Sequence, residues 1–165
     1  RAYHSGDAAE IAWILQRMAS AGRPVFAAGV SLGGNALLKW LGTGGESCAA
    51  LVCAAAAISA PLDLTAAGAA LRRGFNRVYT HEFLRTLVPK TLRKAQRWPG
   101  RFDAARIAAA RDFDTFDDAY TAPAHGFADV SDYWRRASSK PDLPGIRVPT
   151  LVLNARNDPF LPAHH

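Results

Sequence analysis

Cysteine, methionine and long apolar runs are all scarce in this chain. Two cysteines among 165 residues, Cys48 and Cys53, are too few for a disulfide framework and lack metal-ligand spacing. Both lie in or beside an alanine-rich apolar segment, and Cys53 reads as a small core residue. A reducing cytoplasm is the compartment that fits. No run of 18 apolar residues occurs, so no transmembrane helix is expected, and no signal peptide is visible. Internal repeats and low-complexity tracts are missing too, and neither a cofactor nor a metal is expected. The chain begins at Arg1 rather than methionine, and we expect a piece of a longer protein.

Acidic residues are also in deficit, 14 against 20 Lys and Arg, for a net charge of +6. The imbalance is local. Between residues 72 and 101, Arg72, Arg73, Arg77, Arg85, Lys90, Arg93, Lys94, Arg97 and Arg101 face only Glu82. Residues 102–132 reverse the sign, with seven aspartates against Arg106 and Arg111. Two solvated helical faces that partly neutralise each other explain this. The alternative is a basic rim drawing anionic substrates or an acidic lipid surface. Nucleic acid is not expected as a partner, because no binding motif accompanies the charge.

What is present begins at Pro24. Val25-Phe26-Ala27-Ala28-Gly29-Val30 is the short apolar run of a buried parallel strand. Gly29-Val30-Ser31-Leu32-Gly33 follows, then Leu37, Leu38 and Leu41 at helical spacing. G-x-S-x-G between a strand and a helix is the nucleophile elbow of an α/β-hydrolase. The glycines are expected because neighbouring β-carbons would clash around a strained serine. The turn lifts the Ser31 hydroxyl above the sheet, while the Leu32 amide can face a developing oxyanion. The competing reading is a glycine-rich turn that binds phosphate or nothing.

Around that turn the order is helix, strand, helix, strand. Asp7 with Glu10 forms a capping pair for a helix carrying Ile11, Ile14, Leu15 and Met18 on one stripe, and Gly22 supplies a left-handed stop. A second strand is expected over Ala49 to Ser59, and a third, interior one over Pro149 to Asn154. Between them a crossover needs only about a dozen residues, so residues 62–145 read as an insertion. Its helices are expected at Thr65 to Arg73, His81 to Trp98 with a break at Pro89, Ala104 to Arg111 capped by Asp103, and Asp129 to Ala137. This gives an α/β architecture: a parallel-sheet core from residues 1–61 and 146–165, incomplete at both ends, with residues 62–145 as a helical cap. A solvent-facing decoration is the alternative for that insertion.

A serine hydroxyl needs a base, usually histidine, oriented by a carboxylate, in the chain order serine, acid, histidine. Asp158, in Asn157-Asp158-Pro159-Phe160 just past the third strand, is the expected acid; a plain Asn-Asp-Pro turn is the alternative. Asp63 competes for the role but also suits a helix cap. Of the histidines, His4, His81, His125, His164 and His165, none follows a further strand after Asp158. His4 could line the site or bond the backbone locally, and His125-Gly126 falls in the insertion. The catalytic histidine and the second oxyanion amide are therefore expected outside these residues.

Six segments carry a family likeness: Arg1-Ala2-Tyr3-His4-Ser5-Gly6-Asp7, Gly29-Val30-Ser31-Leu32-Gly33-Gly34-Asn35, Ser59-Ala60-Pro61, Gly74-Phe75-Asn76-Arg77-Val78-Tyr79, Phe116-Asp117-Asp118 and Asn157-Asp158-Pro159-Phe160. Together they resemble the YheT-like branch of the α/β-hydrolases. That branch includes bacterial esterases and membrane-linked eukaryotic relatives acting on acyl esters, phospholipids among them. The resemblance implies Ser31 as nucleophile, Asp158 as acid, and a histidine from a later segment. It also implies a small-molecule acyl ester as substrate, with anionic or lipid esters and peripheral membrane contact as options. A non-catalytic acyl-binding scaffold and an acyltransferase using the same residues are the competing functions.

Overall fold

The computed structural model describes residues 4–161. Arg1, Ala2 and Tyr3 of the first family segment, and His164 and His165, fall outside the described residues.

Helix α1 (Ala8–Ala19) starts where Asp7 accepts the Glu10 N–H at 3.3 Å, and Gly22 follows it at φ +69°. Of its expected stripe only Ile11 and Leu15 reach the core, while Ile14 and Met18 stay exposed. Strand β1 (Phe26–Val30) runs into helix α2 (Leu32–Gly44), the most deeply buried helix. A short helix α3 (Glu46–Ala49) then precedes β2 (Ala54–Ile58). The second strand is thus five residues shorter at its start than expected. Alanine suits a helix as well as a strand, and Gly45 at φ +51° restarts the chain as a turn. The pairing edge opens only at Cys53, whose N–H donates to Val25 O at 2.9 Å. Cys48, not Cys53, is the core thiol: Cys48 is fully buried and Cys53 exposed.

β3 (Thr150–Leu153) completes a parallel sheet of order β1-β2-β3. Register pairs Gly29 with Ala57 and Ala57 with Val152, so these residues share one face. α1 and α2 cover that face with Leu15, Leu37, Trp40 and Leu41, while Leu38 packs on Ala57 and Ala60. The other face carries Phe26, Val30, Ile58, Leu151 and Leu153, all exposed. β3 was expected in the sheet interior and β1 to be buried. Among the described residues both instead pair on one side only, and Phe26 and Leu151, on the face outside the core clusters, are 71% and 60% exposed.

Between β2 and β3 the described residues hold helices and no strand, as expected. They are α4 (Leu64–Leu71), α5 (Asn76–Ala95), α6 (Ala104–Ala109), α7 (Phe113–Phe116), a π-turn over Asp117–Thr121, α8 (Ala122–His125), α9 (Val130–Ala137) and a 3-10 turn over Lys140–Gly145. Asp63, Asp103, Asp112 and Asp129 cap α4, α6, α7 and α9 through their carboxylates. α5 starts earlier than expected and runs through Pro89 without a break. An interior proline costs about 3 kcal/mol. Leu84, Leu87, Val88 and Leu92 offset it by packing on Ile107, Phe116 and Tyr120 around an exposed Pro89. A separate cluster joins Leu64, Ala122, Tyr133, Trp134 and Ala137. Arg72 reaches Asp114 at 2.7 Å, linking the basic and acidic stretches.

Candidate active site

The turn after β1 places Ser31 between the strand and helix α2. Ser31 sits at φ +53°, ψ −126°, a region that costs a non-glycine residue about 1–3 kcal/mol. Its neighbours hold it there: the Ser31 N–H donates to Ile58 O at 2.9 Å, and Ser31 O accepts from Asn35 N at 3.1 Å. The Ser31 side chain is exposed and makes no capping bond to α2. A hydroxyl at a helix start would ordinarily cap it, so this one is held away from its usual use. Leu32 opens α2, and its N–H belongs to the first turn, which no intrahelical carbonyl can reach.

The two glycines of the motif have different reasons. A β-carbon on Gly29 would fall 2.5 Å from Gly33 O, so strand and helix backbones touch there. One on Gly34 would meet the Ala60 methyl at 2.9 Å. One on Gly33 would meet nothing within 4 Å. The expected clash therefore holds at Gly29 and Gly34 and not at Gly33.

Parallel strands send Ser31, Ser59 and Asn154 out of the same sheet edge. Ser59 is a second strained residue, at φ +49°, and its N–H donates to Leu153 O at 2.8 Å. Asn154 then grips Ala60, two residues past the end of β2, at both its N–H and its carbonyl. Its Oδ1 accepts from Ala60 N at 3.2 Å and its Nδ2 donates to Ala60 O at 3.1 Å. This amide replaces the next backbone rung and fixes the chain leading to Asp158. Neither the strained backbone of Ser59 nor the pairing of Asn154 is legible in the sequence, since nothing in one chain marks a serine for φ > 0 or an asparagine for cross-strand pairing.

Asp158 is half-buried; its N–H donates to Ala155 O at 3.2 Å, and its Oδ1 accepts from Phe160 N at 2.9 Å. The carboxylate thus shapes its own Asn-Asp-Pro turn, as the structural alternative required. That bond uses one oxygen and leaves Oδ2 without a partner among the described residues. Asp63, the competitor, accepts the Ala66 N–H at 3.1 Å as the cap of α4. A cleft of about 120 Å³ lies at these strand ends, lined by Ala60, Pro61, Asp63, Asn154, Arg156 and Leu161.

Among the described residues, His4 and His125 pack against each other and neither is bonded to Asp158. His4 Nδ1 accepts the Gly6 N–H at 3.1 Å, whereas a triad imidazole must donate from Nδ1 to its carboxylate. The His4 ring lies 4.7 Å from that of His125, beside Phe127 at 5.2 Å and Tyr133 at 5.9 Å. Burial lowers the affinity of both histidines for a proton, and His125 further depresses His4. His125 Nε2 is buried without a hydrogen-bond partner among the described residues.

Asn35 ties these parts together, a role the sequence motif alone did not disclose. Its fully buried Nδ2 donates to Ser5 O at 2.9 Å and to Ala137 O at 2.8 Å, and also lies 2.8 Å from Ser5 Oγ. Nearby, the Ser5 N–H donates to the Tyr133 hydroxyl at 3.1 Å. Within the helical stretch, Asp117 accepts from Thr121 Oγ1 at 2.6 Å and Trp134 Nε1 at 2.9 Å. Burial pushes its carboxyl up to about 6, against the pull of those two bonds.

Comparison with known proteins places the chain by family. A family described as "Alpha/beta hydrolase family" matches residues 1–165. The Escherichia coli protein named "Putative esterase YheT" is 38% identical over 165 residues, covering 98% of this chain and 48% of that protein. Mouse "Phospholipase ABHD3" is 32% identical over 87% of this chain and 34% of its own length. "Medium-chain fatty acid ethyl ester synthase/esterase 2" of Saccharomyces cerevisiae is 30% identical over 97% of this chain and 40% of its own. The chain thus spans about half the length, or less, of these relatives. No solved structure matches it. No helix among the described residues is long and apolar enough to cross a membrane.

Proposed function

The chain belongs to the YheT-like α/β-hydrolases, and from that premise we propose that it carries half of the machinery of a serine hydrolase acting on carboxylic esters of acyl groups. Its relatives bear esterase, phospholipase and lipase names, which support a hydrolase. One observation carries the finer reading: Ser31 is held at positive φ, its hydroxyl unused as a cap, on the sheet edge from which the Asp158 loop also leaves.

In this reading the Ser31 hydroxyl attacks the acyl carbon and passes its proton to an imidazole. The Leu32 N–H donates to the resulting oxyanion. Asp158 accepts from the imidazole Nδ1–H and stabilises the cation, which then protonates the departing alkoxide. Water repeats the sequence on the acyl-enzyme. We place the imidazole in the part of the parent protein outside these residues: the chain spans 48% of the Escherichia coli relative, and His4 uses its Nδ1 as an acceptor. Residues 62–145 serve as the cap over the site. The exposed cations Arg73 and Arg77 would favour anionic or lipid esters.

In the full-length protein, Ser31→Ala should abolish labelling by a fluorophosphonate probe; labelling that persists refutes the nucleophile. Loss of an essential triad member costs on the order of 10⁶ in rate, so residues 1–165 alone should be inactive. Acyl transfer to an alcohol is the second reading, favoured by the synthase/esterase name of the yeast relative. Product analysis with a competing alcohol separates the two.

A further inference from the structure

The start of α5 touches the acid loop, a contact that the reading above leaves without a role. Asn76 Nδ2 donates to Pro159 O and also to Ala70 O at 3.1 Å, so one amide joins the end of α4 to the residue after Asp158. One turn on, the Tyr79 ring meets the Phe160 ring edge-on with centroids 4.9 Å apart. Phe83 adds a looser contact to Phe160 at 6.5 Å. The α5 end of this clamp is itself anchored, since the buried Thr80 hydroxyl donates to Leu71 O at 2.9 Å. The other end leads to the carboxylate, because the Phe160 N–H donates to Asp158 Oδ1 at 2.9 Å.

We propose that Asn76 and Tyr79 are positioning residues for Asp158. They hold Pro159 and Phe160 so that the Phe160 N–H occupies Oδ1 and Oδ2 is aimed at the imidazole. The inference rests on Asp158 being the triad acid. Its physical basis is that, among the described residues, the Asp158 loop has few other restraints. Residues 154–157 are exposed, and apart from the Asn154–Ala60 pair the loop's bonds are local. A carboxylate on such a loop would sample orientations that do not serve an imidazole. The clamp also couples the helical stretch to the catalytic edge, so a shift of α5 would reorient the acid.

The test uses the full-length protein and p-nitrophenyl butyrate. Asn76→Ala should lower kcat by about 10- to 100-fold, the usual range for residues that orient a functional side chain, with KM within about twofold. A carboxylate that stabilises the imidazolium raises the pKa of the ring. Losing its alignment should therefore move the acidic limb of kcat/KM to lower pH, which a general loss of folded enzyme would not do. Tyr79→Ala should behave alike, and Tyr79→Phe, which keeps the ring edge, should restore kcat. Unchanged kcat and acidic limb in both alanine variants overturn the proposal. If Asn76→Ala fails to fold, the contrast between Tyr79→Ala and Tyr79→Phe decides it: no contrast overturns it. Asp158→Asn is run alongside. Parental kcat in that variant refutes the acid assignment and the clamp with it. A dead Asp158→Asn beside harmless clamp variants refutes the clamp alone.

Discussion

The Asn35 carboxamide accepts the Ser139 N–H at 2.9 Å across 104 residues of chain, from a site where neither group meets solvent. With the bonds that the same amide gives to Ser5 and Ala137, one side chain joins the entry segment, α2 and the end of α9. The residue sits on the first turn of the helix that Ser31 opens. The turn at Ser31 is therefore braced from behind by a polar contact rather than by apolar packing alone.

Asn35→Ala should destabilise the protein by about 3–5 kcal/mol, because it leaves the Ser139 N–H and the Ser5 and Ala137 carbonyls buried and unpaired at about 1–3 kcal/mol each. Denaturant midpoints at constant m-value measure it. A loss below about 1 kcal/mol would mean that water satisfies these groups and that the bracing is unimportant.

The glycines around Ser31 predict a contrast. Gly29→Ala puts a methyl against Gly33 O, backbone against which nothing can give way, and should lower the thermal midpoint strongly. Gly33→Ala meets open space and stays in helix α2, where alanine is favoured over glycine by about 1 kcal/mol. Thermal midpoints of the two variants should therefore move in opposite directions. Equal destabilisation would show that the helix start is more tightly enclosed than its geometry indicates.

That contrast also marks what a single sequence can disclose. The pattern of Val25 to Gly33 gave strand, turn and helix, because apolar periodicity and a motif both act over a few residues. The carboxylate caps at Asp7, Asp63 and Asp103 were legible for the same reason. The start of β2 was not. Alanine has weak preferences, and only pairing with Val25 decides where extension begins. Pro89 was read as a break because its local cost is real, yet Leu84 and Ile107 outweigh it from distant positions. At the site, Ser31, Leu32 and Asp158 were named from motif and order. Asn35, Asn154 and the Asn76–Pro159 contact became visible only in three dimensions, since each pairs groups far apart in the chain.

Stability should depend on pH through two opposing sets of buried groups. Burial holds His4 and His125 below the usual histidine value. The folded state then binds fewer protons than the unfolded one, so their contribution is intact above about pH 6.5 and is lost as pH falls through the folded values. Asp7 opposes this depression at both rings, while Arg136 reinforces it at His4 and Lys94 at His125. Asp117 works the other way. Its carboxyl is raised to about 6, so its neutral form favours folding in acid and that contribution is lost as pH climbs from about 4 to 6. Urea midpoints between pH 4 and 8 should therefore respond differently to two substitutions. Asp117→Asn removes the opposing group and leaves either Thr121 or Trp134 without its acceptor, and whatever its stability at pH 7 the variant should lose it more steeply on acidification than the parent. His125→Phe removes one titrating ring from an apolar aromatic cluster, and its acid loss should be shallower than that of the parent. Parallel curves for all three proteins would show that these groups titrate in the folded state much as they do in the unfolded chain.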